Sequence, residues 1–139
     1  MNPRKKIETM ITKEITLCGK QVTIGYCFAT ELGFKTNADE DIEDFIIEVI
    51  EMFQKQSQMP DLNKCIYLIY AAMLAYYESV KQEVPISAED MMYNMQPLEL
   101  GAALATILNM RANFYKAPKG EPDDKPKSEE EKKADEKNA

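Results

Sequence analysis

The acidic run Asp39–Asp44, DEDIED, is the densest group of potential metal ligands in this chain of 139 residues. Carboxylate oxygens are ligands that Ca²⁺ prefers, and an EF-hand loop places them at alternate positions around a central glycine before a closing glutamate. Here Ile42 and the following Phe45 interrupt the carboxylates at the spacing of one helix face. The pattern therefore favours a solvated acidic helix face over a metal site.

Few other residues or motifs in the chain are candidates for catalysis. The chain contains no His, which removes the commonest general base, the Ser-His and Cys-His nucleophile pairs and the commonest zinc ligand. It also lacks the glycine-rich patterns that cradle phosphate groups. We predict no catalytic residue, metal site or cofactor, and a small enzyme that works through a pair of carboxylates stays open as an alternative.

The three cysteines Cys18, Cys27 and Cys65 form no CxxC pair. An odd number with this spacing argues against a disulfide framework and against a zinc site. Each cysteine lies within an apolar pattern, where a free thiol packs as a small hydrophobic group. Cys18 lies beside a predicted turn without a basic residue clearly directed at it, so we do not expect a reactive thiol. We expect a reducing cytoplasm, because the basic N-terminus is not followed by the apolar core of a signal peptide.

The elements that would position these residues begin with a predicted β-hairpin. Residues 11–26 alternate apolar and polar side chains on both sides of a break at Gly19-Lys20, and they are rich in Thr, Ile and Val. This pattern predicts two antiparallel strands joined by a turn. Their apolar face needs a cover, because an isolated hairpin is only marginally stable in water.

Two helices are predicted to follow the hairpin. Residues 27–34 form a short helix with Gly33 as its C-terminal cap. Asn37 is expected to cap the next helix, with Asp39–Asp41 in its first turn, where carboxylates favour the positive end of the helix dipole. The buried face of this second helix follows a spacing of three, four and seven residues and consists of Ile42, Phe45, Ile46, Val49, Ile50 and Phe53.

The stretch Cys65–Tyr77, CIYLIYAAMLAYY, has no charge, Gly or Pro and lies between Lys64 and Glu78. A membrane-spanning helix needs about 20 apolar residues, whereas a run as short as this one is typical of a core helix. We therefore expect no membrane insertion. Asp61 is predicted to cap this helix, which should run to about Val80.

On a helical projection this helix carries two apolar stripes. The second stripe consists of Tyr67, Tyr70, Leu74 and Tyr77. It is either covered by the other helices of the domain or forms a surface for a partner or a second copy, and we assign these four residues as candidate partner-binding residues. If the domain covers it, the binding surface is expected on the hairpin or on the methionine-rich segment. The first stripe, predicted to face the core, is Leu62, Cys65, Ile66, Ile69, Ala72, Met73, Tyr76 and Val80; the methionines are Met91, Met92, Met95 and Met110.

Capping residues mark the remaining helices. Ser87, with Asp90 three residues later, resembles a capping box and predicts a short helix through residues 91–93. Pro97 suits the first turn of a last helix that ends near Tyr115. The buried side of that last helix is predicted to hold Leu100, Leu104, Ile107 and Leu108.

The sequence as a whole predicts one α+β domain dominated by helix, with an N-terminal β-hairpin packed on a bundle of about four to five helices over residues 11–115. Residues 1–10 are predicted to be a flexible N-terminus. Residues 116–139 contain no Val, Ile, Leu, Phe, Tyr or Met and are predicted to form a disordered charged tail. The formal net charge of −7 argues against nucleic acid as the main partner, although Arg4, Lys5 and Lys6 form a basic cluster.

The order of these segments resembles that of the tail assembly chaperones of long-tailed bacteriophages and prophages. The resemblance covers about residues 11–115 and rests on the order of five features. They are a hairpin reading ITLCGKQVTIGY, a brief helix ending in Gly, an acidic amphipathic helix, the start DLNK of an apolar helix with LIYAAMLAYY, and ISAED before a short helix that precedes the last one. It implies a non-enzymatic protein that binds the tape measure protein, keeps it soluble and helps to recruit tail tube subunits.

The resemblance also implies a location in the bacterial cytoplasm and absence from the mature virion. Many members of this family are made in two lengths through a ribosomal frameshift, and the charged tail would then be a tether to a longer product or simply a solubilising end. The alternative from another class is a structural head–tail connector that stays in the particle.

Overall fold

The computed structural model describes residues 9–55 and 60–116. Within these residues two strands precede five helices, so the predicted α+β class with mainly helix is confirmed. The predicted disordered tail lies outside the described residues except for Lys116, and so does most of the predicted flexible N-terminus. The elements are β1 (Ile11–Leu17), β2 (Lys20–Tyr26), α1 (Phe28–Ala38), α2 (Ile42–Lys55), α3 (Leu62–Ser79), α4 (Ala88–Asn94) and α5 (Pro97–Lys116).

The hairpin turn consists of Cys18 and Gly19. Strands β1 and β2 are antiparallel, with Ile11 opposite Tyr26 and Leu17 opposite Lys20. Both turn residues have positive φ angles, 52° at Cys18 and 78° at Gly19, which match the right-handed twist of the strands in a two-residue turn. The break therefore lies one residue earlier than Gly19-Lys20, because the ladder continues to the pair Leu17–Lys20.

Helix α1 continues through Gly33, so the prediction that it stops there was wrong. Gly33 lies against α3, where an added Cβ would be 3.4 Å from the Cβ of Ala71. The helix ends instead at Asp39, which adopts the left-handed conformation with φ 56° and donates its N–H to the Lys35 carbonyl at 2.9 Å. Asn37 does not cap α2. It lies inside α1, and its side chain donates to the Gly33 carbonyl.

Helix α2 begins at Ile42, later than expected, so that the carboxylates of its first turn are Glu43 and Asp44. The residues 39–41 form the connection from α1. The predicted burial of Ile50 and Phe53 was wrong, because both side chains are exposed, whereas Met52 between them packs against the core. The other four residues of the predicted face, Ile42, Phe45, Ile46 and Val49, are buried.

Helix α3 is the centre of the domain and packs against α1, β2, α5 and α4. The predicted cap is confirmed, since the Asp61 carboxylate accepts the Asn63 N–H at 2.9 Å. The helix ends at Ser79, one residue before the predicted limit. Its buried residues are Cys65, Ile66, Leu68, Ile69, Ala71, Ala72, Met73 and Ala75.

Helices α4 and α5 close the core on the other side of α3. The hydroxyl of Ser87 accepts the Asp90 N–H at 3.0 Å and caps α4 as predicted. Pro97 opens α5, which packs along the hairpin and against α3. On the predicted buried side of α5, Leu100, Leu104 and Ile107 are buried and Leu108 is half-buried.

Candidate interaction surfaces

The four residues assigned from sequence to partner binding, Tyr67, Tyr70, Leu74 and Tyr77, are all half-buried. The three tyrosines pack against the core, and the hydroxyl of Tyr77 accepts the backbone N–H of Thr23 in β2 at 3.2 Å. This bond satisfies a donor on the outer edge of β2 that a two-stranded sheet would otherwise leave open. A contact between this stripe and a partner stays a prediction, and larger exposed apolar surfaces lie elsewhere.

Leu62, at the start of α3, belongs to one of these surfaces. The helical projection placed it on the buried face, but its side chain is 54% exposed. At the other end of the same face, Val80 is also exposed. The projection was wrong at these two positions because the neighbouring helices cover only the middle of α3.

A groove lies between the first turn of α3, helix α4 and the first turn of α5. It has a volume of about 290 Å³ and an almost wholly apolar lining, and we call it the methionine groove. Met91 is buried at its base, Met95 is half-buried, and Met92 is 45% exposed. Met110, the fourth methionine of the predicted cluster, is buried in α5 and is not part of the lining. The lining residues are Leu62, Ile66, Met91, Met92, Met95, Gln96, Pro97 and Leu100.

The corner between α4 and α5 that forms one wall of this groove is held by Glu99. One oxygen of its carboxylate accepts the N–H of Cys18 in the hairpin turn at 3.0 Å and the N–H of Gln96 at 3.5 Å. At Met95 the backbone leaves the helix in an extended conformation, which brings the chain to the start of α5. Glu99 therefore connects the hairpin turn to the start of α5.

The thiol of Cys18 lies at the same corner, 3.9 Å from the Asp90 carbonyl. Burial raises the pKa of this thiol, and the nearby carboxylates of Glu99 and Asp90 raise it further. The thiol is therefore protonated at neutral pH, which makes it a poor nucleophile.

A second groove lies between α1 and the start of α2, with a volume of about 430 Å³. We call it the acidic groove. Its apolar part is formed by Phe28 and Leu32, each 67% exposed, together with the buried Ile42. Its charged rim consists of Glu31, Lys35, Asp41 and Glu43.

Glu31 connects this groove to the end of α5. Its carboxylate accepts the hydroxyl of Tyr26 at 2.8 Å and that of Tyr115 at 2.6 Å, and Arg111 Nε lies 4.0 Å away. Burial and the bond to Glu31 raise the pKa of Tyr26, and the same two causes raise the pKa of Tyr115 to about 12. The side chain of Phe114 packs edge-on against Phe28 with ring centroids 5.3 Å apart.

The acidic run that first suggested metal binding is divided between the α1–α2 connection and the first turn of α2. In residues 9–55 and 60–116 no group of three or more His, Cys, Asp or Glu side chains is arranged to hold a metal ion. Over the same residues no helix is both long enough and apolar enough to span a membrane.

Comparison of the chain with protein-family models, with curated proteins and with solved structures gives no match.

Sequence reasoning missed the acidic groove, although a signal was present. Phe28 and Leu32 are four residues apart and share a helix face, while Phe34 lies on the opposite face. When a helix with apolar residues on two faces packs on the core through one face, the other apolar face stays exposed. Leu98, which is exposed at the start of α5, has no such periodic signal.

Proposed function

We propose that this protein is a tail assembly chaperone of a long-tailed bacteriophage or prophage. In this proposal it binds the tape measure protein in the bacterial cytoplasm, acts without catalysis and leaves the tail before the virion is complete. The observation that supports the proposal best is the open, apolar methionine groove, together with the order of segments along the chain.

The shape and lining of the groove suit a helical partner. An amphipathic helix binds in a groove through apolar side chains spaced three, four and seven residues apart. Methionine side chains are flexible and polarisable, so that they adapt to different apolar partners along a long and varied protein. Leu62 and Met92 expose apolar surface on opposite walls, and a partner that covers both removes that surface from water.

The charge of the described domain supports a carrier role. Residues 9–116 contain 15 carboxylates and eight Lys or Arg side chains. A net negative charge disperses carrier molecules with apolar surfaces, because like charges repel at a distance. In the proposal, the half-buried tyrosine stripe is a second contact surface, for tail tube subunits or for another copy of the chaperone.

Co-expression with fragments of a tape measure protein tests the proposal. We expect the wild-type chain to raise the soluble amount of a bound fragment. The double variant Leu62→Glu and Met92→Glu should lower its affinity at least about tenfold, because both changes place a carboxylate where the partner would bury an apolar side chain. The matched control is Ile47→Glu on α2, which is 55% exposed and lies outside the groove.

One result would contradict the proposed function, and another would contradict only the groove as its binding site. If no tape measure fragment becomes more soluble with the wild-type chain, the chaperone function is wrong. If the groove variant and the control bind equally well, the function stands and the groove is not the binding site. Mass spectrometry of purified virions separates the chaperone from a head–tail connector, since a connector would be found in the particle.

A further inference from the structure

We propose that the basic N-terminal segment of the same chain, residues 1–8, binds in the acidic groove between α1 and α2. This inference is independent of the proposed function, because it concerns a different surface and an occupant from the chain itself. It rests on the apolar surface of the groove, on the charge of its rim and on the point at which the segment joins the domain.

The groove presents apolar surface that the described residues leave open. Phe28 and Leu32 are each 67% exposed on α1, although the Phe28 ring also contacts the rings of Phe114 and Tyr115. Two large side chains one helical turn apart, with the buried Ile42 beside them, form a continuous strip. An occupant with an apolar side chain would cover this strip.

The rim of the groove is acidic. Three acids line it, Glu31, Asp41 and Glu43, and each already contacts a cation. Asp41 lies 3.0 Å from Lys35, while Glu43 and Glu31 lie 3.9 Å and 4.0 Å from Arg111. Asp41, Lys35 and Glu43 are well exposed, and exposed ion pairs are weak. These carboxylates can therefore bind further cations from an occupant.

Residues 1–8, MNPRKKIE, match both features. The segment has three adjacent cationic side chains, Arg4, Lys5 and Lys6, followed by the apolar Ile7. Residues 117–139 match neither feature, since they contain eight carboxylates against six Lys and no large apolar side chain. Charge complementarity thus selects the N-terminal segment over the C-terminal one.

The segment also joins the domain at the correct place. Ile11 pairs with Tyr26, which is two residues before the start of α1 at Phe28. An extended chain covers about 3.3 Å per residue, so Lys5 can lie up to about 20 Å from Ile11. Along α1 the distance from Phe28 to Lys35 is only about 10 Å. These lengths are compatible with Ile7 at the apolar strip and with Lys5 and Lys6 at the rim.

Zero-length carbodiimide cross-linking of the full chain, followed by mass spectrometry, tests the proposal. We expect Lys5 and Lys6 to be linked to Asp41 and Glu43, and we expect these links to fade at high salt. The pair Lys64–Glu40, 2.7 Å apart, is the internal positive control. Links made equally to Glu78, at the end of α3 near the point where the segment enters the hairpin, would show an unselective tether and overturn the proposal.

Charge reversal gives a second readout. In the variant Lys5→Glu and Lys6→Glu, the NMR signals of Leu32 and Ile42 should shift, and adding Asp41→Lys and Glu43→Lys should move them back toward the wild-type positions. Unchanged Leu32 and Ile42 signals in the first variant would overturn the proposal.

Cross-linking a mixture of ¹⁴N- and ¹⁵N-labelled chains identifies the occupant. Links within one isotope support the chain's own segment, and mixed links assign the groove to a second copy instead.

Discussion

Glu31 is the residue on which the junction of hairpin, α1 and α5 depends. Its carboxylate accepts hydroxyl groups from Tyr26, the last residue of β2, and from Tyr115 near the end of α5. The Tyr26 side chain is fully buried in the core. Without Glu31 the hydroxyl of this buried side chain would lose its acceptor.

Replacement of Glu31 by alanine is therefore expected to destabilise the domain by about 1–3 kcal/mol, which is the cost of leaving a buried polar group without a partner. Urea unfolding measures the change. The matched control is Glu43→Ala, which removes a carboxylate that also faces Arg111 but is well exposed, and we expect a change within about 0.5 kcal/mol. Equal effects of the two substitutions would contradict a special role for Glu31.

The same junction predicts the titration of the tyrosines. The pKa of Tyr115 in the folded chain is about 12, above the ordinary value of 10, and that of Tyr26 is also raised. A raised pKa means that the folded state retains the proton while the unfolded state loses it, so stability falls as pH rises from about 10 to about 12. The contribution is fully present below pH 10.

Absorbance of tyrosinate at 295 nm against pH measures this behaviour. We expect Tyr26 and Tyr115 to give a late-ionising fraction in the folded chain, and this fraction to shrink by about half in Tyr115→Phe. If the folded chain shows no late-ionising fraction, the hydroxyl bonds to Glu31 are absent in solution.

At the scale of single elements, Gly33 lies inside α1 although glycine often ends a helix. The glycine lies in the middle of the helix and faces Ala71 of α3, with room for a methyl group at van der Waals distance. Its φ angle is not positive, in contrast to that of Asp39, where the helix ends. Alanine at position 33 therefore fits the backbone.

Gly33→Ala is expected to stabilise the domain by about 0.5–1 kcal/mol, because alanine favours the helix more than glycine does. Denaturant unfolding gives the value. The opposite result, a loss of stability, is expected for a left-handed glycine cap, since alanine is strained there. The measurement thus separates the helix of the structure from the shorter helix that the sequence suggested. Gly33→Leu is the steric control and should destabilise, because a larger side chain meets the backbone of α3.

Local sequence signals were sufficient to predict where three of the helices begin. Asp61, Ser87 and Pro97 each mark a helix start correctly, because a cap acts on backbone groups only two or three residues away. The predicted caps at Gly33 and Asn37 were wrong because both residues can also lie inside a helix. The contact that decides between the two outcomes is with Ala71, almost forty positions further along the chain.

The candidate surfaces were only partly predictable for a related reason. Clustered methionines pointed to the segment that contains Met91, Met92 and Met95, and this segment does line a groove. Periodicity assigns a residue to a face of its helix, but it does not tell how far along the helix the neighbours extend. Leu62 was therefore placed on the correct face and given the wrong exposure.

At the scale of the whole molecule, the excess of carboxylates should make stability depend on salt. Like charges are closer together in the folded chain than in the unfolded one, and salt screens their repulsion. The urea midpoint should therefore rise between about 10 mM and about 500 mM NaCl. The variant Glu43→Lys and Asp44→Lys lowers the charge imbalance of the acidic run, and its midpoint should depend less on salt. A midpoint that falls with salt would show that attractive ion pairs outweigh the repulsion.

The bond between Glu99 and Cys18 has a consequence for synthesis on the ribosome. The two residues are 81 positions apart, and the walls of the methionine groove come from α3, α4 and α5. During translation the hairpin and α3 emerge first, while the corner that Glu99 holds cannot form until α5 has left the exit tunnel. The nascent chain consequently has no complete groove until the residues of α5 have emerged.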